Sequence, residues 1–239
     1  MKISNEEMHD ALKRSGYFLE SRVLDILAKQ GFMNFPNQTF PDPITNKSRE
    51  IDIISKAQRI TENLNLNFNL HFDYNYELII ECINNSQPVA FFKRPDKTPY
   101  TIFGKFYYVK IEREFLEPND RGAADYVFND FTTTSKEFHY NLFDLNTQYC
   151  SFSPKKSNLK EWMASHPDAL HDTFGKLNNC IIDSTKSYEK WMQQSPIRDG
   201  IFTLFNFPVL ILQNDLIEVS EINGKVKIEK KNHVVFEFN

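Results

Sequence analysis

Two short apolar runs, each with a single acid set inside it, constrain this chain more than any other feature. The first is Arg49-Glu50-Ile51-Asp52-Ile53-Ile54-Ser55 and the second is Glu77-Leu78-Ile79-Ile80-Glu81-Cys82-Ile83-Asn84. Both have the length of a strand, and the second is apolar on both faces around Glu81, which suits a central strand covered on two sides. An ionised carboxylate in such a place costs several kcal/mol unless something pairs with it. Two in succession point to a shared partner, and a divalent cation is the simplest one. Metal-dependent phosphodiester cleavage uses that arrangement, because the metal polarises the phosphate and lowers the pKa of a bound water. Magnesium asks for only one or two carboxylates besides waters and substrate oxygens. Asp52 and Glu81 supply two, and Glu20, on an early helix, could add a third.

Around these runs the chain divides into recognisable elements. Ser4-Asn5-Glu6-Glu7 is a capping box opening a short helix with Met8, Ala11 and Leu12, interrupted at Ser15-Gly16. A second helix carries Leu19, Val23, Ile26 and Leu27 on one stripe, with Glu20 at its edge and Gly31 as a stop. Pro36, Pro41 and Pro43 bracket a short strand near Gln38–Phe40. Ala57–Thr61 reads as a loop, and Leu64–Leu70 alternates as a half-exposed strand. After the polar corner Asn84–Pro88, Val89–Phe92 closes this region. Residues 96–166 follow no single period and read as an insertion packed on the core. From Pro167-Asp168 a long helix runs to about Gln194, with Leu170, Phe174, Leu177, Ile181 and Ile182 roughly four apart. Phe207–Leu212 is another buried strand, and Leu216–Ser220, Lys225–Glu229 and His233–Phe238 read as a terminal meander. Helix, strands, long helix and strands in that order predict one layered α/β domain spanning 1–239.

Composition removes several alternatives. The 239 residues are long enough to bury a real core, and 22 Phe and 10 Tyr against 7 Gly exclude disorder and a glycine-rich nucleotide loop. The formal charge of −4 gives no global attraction to nucleic acid, so any such contact needs a local patch. Lys93-Arg94, Lys97, Lys105 and Lys110 among Tyr100, Phe103, Phe106, Tyr107 and Tyr108 form one candidate; a strand with buried aromatics and solvated lysines is the plainer reading. Cys82, Cys150 and Cys180 are far apart and odd in number, as free thiols in a reducing compartment would be. No apolar leader or spanning stretch is visible, so a cytoplasmic protein is expected. The six histidines show no ligand spacing, and no P-loop, nucleophile elbow or dinucleotide fingerprint is present.

Each acid also has a plainer reading. Asp52 could cap a turn or pair with Arg49, Glu81 could form a buried pair with a lysine, and Glu20 could be solvated beside Lys13 or Lys29. Cys82 reads as a small buried hydrophobe and Asn84-Asn85 as turn chemistry.

Taken together, Tyr17-Phe18-Leu19-Glu20, Ser48–Ile53, Leu78–Asn85 and Pro88–Phe92 resemble the PD-(D/E)XK superfamily, the restriction-endonuclease-like nucleases, of the bacterial defence and restriction type. The resemblance covers roughly residues 15–95 and extends to Phe207–Ser220 as closing strands. It implies a mixed central sheet flanked by helices, here with an inserted segment. It also implies magnesium, with manganese as a substitute, and a DNA substrate. By that match Asp52, Glu81 and the backbone carbonyl of Ile83 would hold the metal, with Glu20 as a supporting helical acid. The chain departs at Ile83, where the family pattern has lysine. Lys56, Lys93 and Arg94 are the candidates to supply that charge, and Lys93 stands in the expected catalytic set with Glu20, Asp52 and Glu81. The expected function is a magnesium-dependent endonuclease of a restriction or anti-phage system, as a homodimer or with a protein partner. The alternative is a module that kept the fold but lost turnover and serves nucleic-acid binding or assembly.

Overall fold

The computed structural model describes residues 3–62, 71–94, 145–155, 158–194 and 200–236, with Phe238. The strand expected at 64–70, the basic and aromatic patch at 97–110 and the larger part of the expected insertion lie outside these residues. In chain order the elements are α1 (Asn5–Ser15), α2 (Tyr17–Lys29), β1 (Met33–Pro41), β2 (Ser48–Glu62), β3 (His71–Ile83), β4 (Val89–Lys93), β5 (Leu145–Lys155) and β6 (Asn158–Ser165). They continue with α3 (Asp168–Gln194), β7 (Gly200–Leu212), β8 (Leu216–Ile222), β9 (Lys225–Lys231) and β10 (Val235–Phe236). The architecture is mixed α/β, with three helices and two mixed sheets among the described residues.

The capping box forms as expected. The Ser4 hydroxyl accepts the Glu7 N–H at 3.1 Å, and the Glu7 carboxylate accepts the Ser4 N–H at 2.8 Å. Gly16 ends α1 and opens α2 at φ +90°, a left-handed conformation that glycine adopts without a Cβ penalty. The orphan carbonyls of Lys13 and Arg14 are met by the Asn84 side-chain amide at 2.8 and 2.7 Å. One residue of the corner after β3 thus fastens a helix that buries no side chain of its own.

The first sheet has the order β1-β2-β3-β7, with β1–β2 and β2–β3 antiparallel and β3–β7 parallel. The second has the order β10-β5-β4-β8-β9, with β6 paired to β5. The parallel pair β3–β7 passes directly into the parallel pair β4–β8. The two bends are laced together where Gln213 N–H donates to the Ile83 carbonyl at 2.9 Å and Val89 N–H to the Asp215 carbonyl at 3.1 Å. Asn85 accepts Asn214 N–H and donates to the Gln87 carbonyl, as turn chemistry requires.

Helices cover both faces of the first sheet. Under α2, Leu19 and Val23 pack on Ile53 and Ile80, with Leu78, Cys82, Val209 and Ile211 around them. On the other side, Leu170, Phe174, Leu177 and Cys180 of α3 join Ile51 and Ile79 and reach Val89, Phe91 and Tyr149 of the second sheet. Full burial of one such aliphatic side chain contributes about 1.5–3 kcal/mol.

Several elements differ from their sequence reading, β1 and β7 by starting earlier than expected. Residues 57–62 are strand, because β3 offers them partners as far as Glu62↔His71. Residues 233–238 do not complete a meander: β10 pairs in parallel with β5, while β8 and β9 form the hairpin around Asn223-Gly224. The described end of the aperiodic segment supplies β5, which lies between β4 and β10 inside the second sheet, and β6, which pairs with β5. No helix among the described residues is long and apolar enough to cross a membrane.

Candidate functional site

The two acids meet where the strand ladder gives out. Along β1–β2 the pairs Pro36↔Ile53 and Gln38↔Ile51 leave the Asn37–Asp52 step unpaired, and Asn37 has φ +52°. Along β2–β3 pairing stops at Ile53↔Ile80, one step short of Asp52 opposite Glu81. Ile51 and Ile53, both 0% exposed, pack into opposite layers, so side-chain alternation does not hold across Asp52. Backbone N–H groups freed by such a break need acceptors. The carboxylates supply them: Asp52 N–H donates to Glu81 Oε1 at 3.2 Å, and Cys82 N–H donates to Asp52 Oδ2 at 2.7 Å.

A cation completes the pair. Lys176 of α3 places its Nζ 2.5 Å from Glu81 Oε2, with the lysine side chain 23% exposed and Glu81 deeply buried. Burial pushes the Glu81 carboxyl above its ordinary range and the Asp52 charge adds to that, while Lys176 and the Asp52 N–H pull it back. Glu20 is raised by burial and then by the charges of Asp52 and Glu50. Burial, with Asp52, Glu20 and Glu81 behind it, pushes the Cys82 thiol to about 12. Asp52 of β2 therefore acts on both of the other acids singled out in the sequence, Glu20 of α2 and Glu81 of β3.

The other nominated residues lie elsewhere. Lys56 pairs with Glu77, whose carboxylate also accepts the Ser184 hydroxyl. Lys93 ends β4 in the second sheet, opposite Asn146 and past a break in register. Arg94 donates its N–H to the Leu145 carbonyl. Ile83 packs its side chain against the α3 cluster, and its carbonyl accepts Gln213 N–H, leaving one lone pair. The plainer readings of Asp52 and Glu20 do not form as pairs: Arg49 meets Asp42 and Lys29 meets Asp25.

Lys176 escaped the sequence reading because a helical lysine looks like solvated charge. Its only sequence signal is its place on a row four residues apart, Lys176, Cys180, Ser184 and Tyr188, beside the apolar stripe of α3. That row faces the sheet. Ser184 meets Glu77, Tyr188 accepts from the Asn75 amide at 3.0 Å, and Thr185 beside it accepts from the Asn206 amide at 3.3 Å. Asp42 was missed as well. It is buried in the β1–β2 turn, accepting Ile44 N–H at 3.0 Å and Thr45 N–H at 2.9 Å through Oδ1, and Arg49 Nε at 3.0 Å and Asn179 Nδ2 at 3.3 Å through Oδ2. Thr45 N–H foremost, then Ile44 N–H and the Arg49 charge, hold its carboxyl below the usual range against the opposing effect of burial. Asp42, Arg49, His171, Gly175, Lys176 and Asn179 line a cleft of about 170 Å³, tied to Glu81 through Lys176.

Among the described residues no three His, Cys, Asp or Glu side chains converge closely enough to hold an ion unaided. The donor set is two carboxylates at facing positions, with Asp52 Oδ1 free of hydrogen bonds among the described residues. Hard oxygen donors few in number fit a cation that leaves most of its coordination to water and substrate, as magnesium does. Comparison with family models, curated proteins and solved structures finds no match to this chain.

Proposed function

We propose that this chain is a magnesium-dependent deoxyribonuclease of the PD-(D/E)XK type, its motif lysine supplied by Lys176 from α3 in place of Ile83. One observation carries the reading: Lys176 Nζ lies on Glu81 Oε2, on the acid that faces Asp52 across a broken ladder. Asp52, Glu81 and the Ile83 carbonyl would hold the ion, which when bound polarises the scissile phosphate and lowers the pKa of a water. The Lys176 ammonium has three donors, and those not spent on Glu81 can reach a phosphate oxygen and offset charge as it develops. Glu20, with its carboxyl raised by burial, can accept a proton from water nearer neutral pH than a solvated glutamate could. The charge-supplying role expected of Lys93 passes to Lys176 in this reading. The resemblance to restriction and defence nucleases suggests DNA as the substrate, manganese as a working substitute and a homodimer or defence complex as the setting.

A second reading, a nuclease-fold module without turnover, draws on the same contacts. Both carboxylates already satisfy backbone N–H groups, and Glu81 is already neutralised by Lys176. The discriminating experiment is plasmid cleavage with magnesium or manganese by the wild type, Asp52→Ala, Glu81→Ala and Lys176→Ala. The nuclease reading expects nicking by the wild type and a loss of about 100-fold or more in each variant. Equal nicking by all four would mark a contaminant, and no nicking by any would favour the module.

A further inference from the structure

The cleft that Lys176 shares with Arg49 is built to hold donors still. Arg49 spends Nε on Asp42, which two backbone N–H groups and Asn179 anchor in turn. Four of the five guanidinium N–H groups remain, on a side chain that is 46% exposed. Lys176, oriented by Glu81, stands on the same cleft, and Asn179 lies one turn further along α3. Nothing lies within 4 Å of the point where a Cβ on Gly175 would stand, so a ligand can approach the helix backbone there. A volume near 170 Å³ is below the roughly 300 Å³ at which pockets take drug-sized molecules. It suits one phosphate with part of its sugar.

Charge narrows the occupant further. Asp42 balances Arg49, Glu81 balances Lys176, and Asp172 adds a negative charge to the lining. The sum is one net negative charge, so an anion is held there only by directed hydrogen bonds from Arg49 and Lys176, and a singly charged internal phosphodiester loses less to that field than a doubly charged terminal phosphate. We propose that the cleft seats one internal phosphodiester of a nucleic-acid strand, with Arg49 as its principal donor, next to the phosphate that faces Asp52 and Glu81. The inference rests on the nuclease reading for the identity of that strand.

Binding of a 12-nucleotide single-stranded DNA by the full chain, with calcium replacing magnesium, tests it by fluorescence anisotropy. Arg49→Gln should weaken binding about tenfold and reduce the slope of log Kd against log salt by about 0.7. Arg49→Lys should keep the slope while losing affinity, since it retains the charge without the fork. A single neutral methylphosphonate walked along the strand should abolish the Arg49→Gln penalty at one position. A penalty equal for natural and all substituted strands, no penalty at all, or no binding by the wild type overturns the proposal. Binding needs no turnover, so a positive result here with an inactive plasmid assay leaves a binding module. Cleavage without Arg49 coupling leaves a nuclease that grips its strand elsewhere.

Discussion

The two faces of the first sheet are covered by helices that hold them in opposite ways. Under α2 the centre of the contact is dry: Leu19 and Val23 meet Ile53 and Ile80, polar bonds from Asn34 to the Leu24 carbonyl and from Arg22 to Gln213 lie at its margins, and no ion pair bridges helix to strand among the described residues. Under α3 an apolar core shares the interface with a polar row, Lys176 to Glu81, Ser184 to Glu77, Tyr188 to Asn75 and Thr185 to Asn206. Removing area from water stabilises the first face, and pairing groups that would otherwise be costly inside holds the second. The same β3 serves both, since alternate side chains point to opposite sides. One strand can therefore be structural on one face and chemical on the other, and Glu81 is placed by the dry packing of its neighbour Ile80.

That contrast can be broken most severely on the dry side. Ile80→Ala should cost about 3–4 kcal/mol in urea unfolding, because the cavity has no polar group to recruit water. A loss below about 1 kcal/mol would mean that α2 does not hold this face as described. On the polar side, Lys176→Met should destabilise by about 2–3 kcal/mol, less than a fully enclosed pair, since water reaches the lysine. The double variant Glu81→Gln with Lys176→Met should recover most of that stability and no cleavage, because the side-chain carbonyl at position 81 still accepts the Asp52 N–H. A double variant as unstable as Lys176→Met alone would show that the loss is one of shape and not of unpaired charge.

The smallest effect is a pH slope. The Glu81 carboxyl is raised in the folded chain, so between its unfolded value near 4.5 and its higher folded value the folded state binds more protons. Its contribution is complete below the unfolded value and is lost as pH rises through the folded one. Glu81→Gln should flatten the stability profile in that window, measured by urea midpoints at several pH values. A cation reverses the sign by favouring the ionised form. Manganese should therefore stabilise the wild type above the window and leave Asp52→Ala unshifted, and equal shifts in both would place the ion elsewhere.

What could be read from the sequence followed the reach of each signal. The capping box spans four residues and its partners are its own neighbours, so Ser4 and Glu7 announced themselves. Asp52 and Glu81 were legible because an acid among Ile and Leu needs an explanation wherever the strand lies. Lys176 had no such contrast. It is 95 residues beyond Glu81, on a helix where lysine is ordinary, and only the packing of α3 over β3 makes it a partner. Residues 57–61 look like loop because their strand character comes from β3 and not from their own pattern. The parallel seat of β10 beside β5 is equally silent, since its two residues carry no mark of which edge they join.

The amide of Asn84 has one further consequence. It sits three positions beyond Glu81 and grips the end of a helix that contributes nothing to the interior, so α1 acts as a splint on the hinge at Gly16, from which Glu20 is aimed one turn later. A ligand or a substitution that loosened this grip would re-aim the third acid while leaving the fold intact. Tuning and survival are thereby entrusted to different parts of the chain.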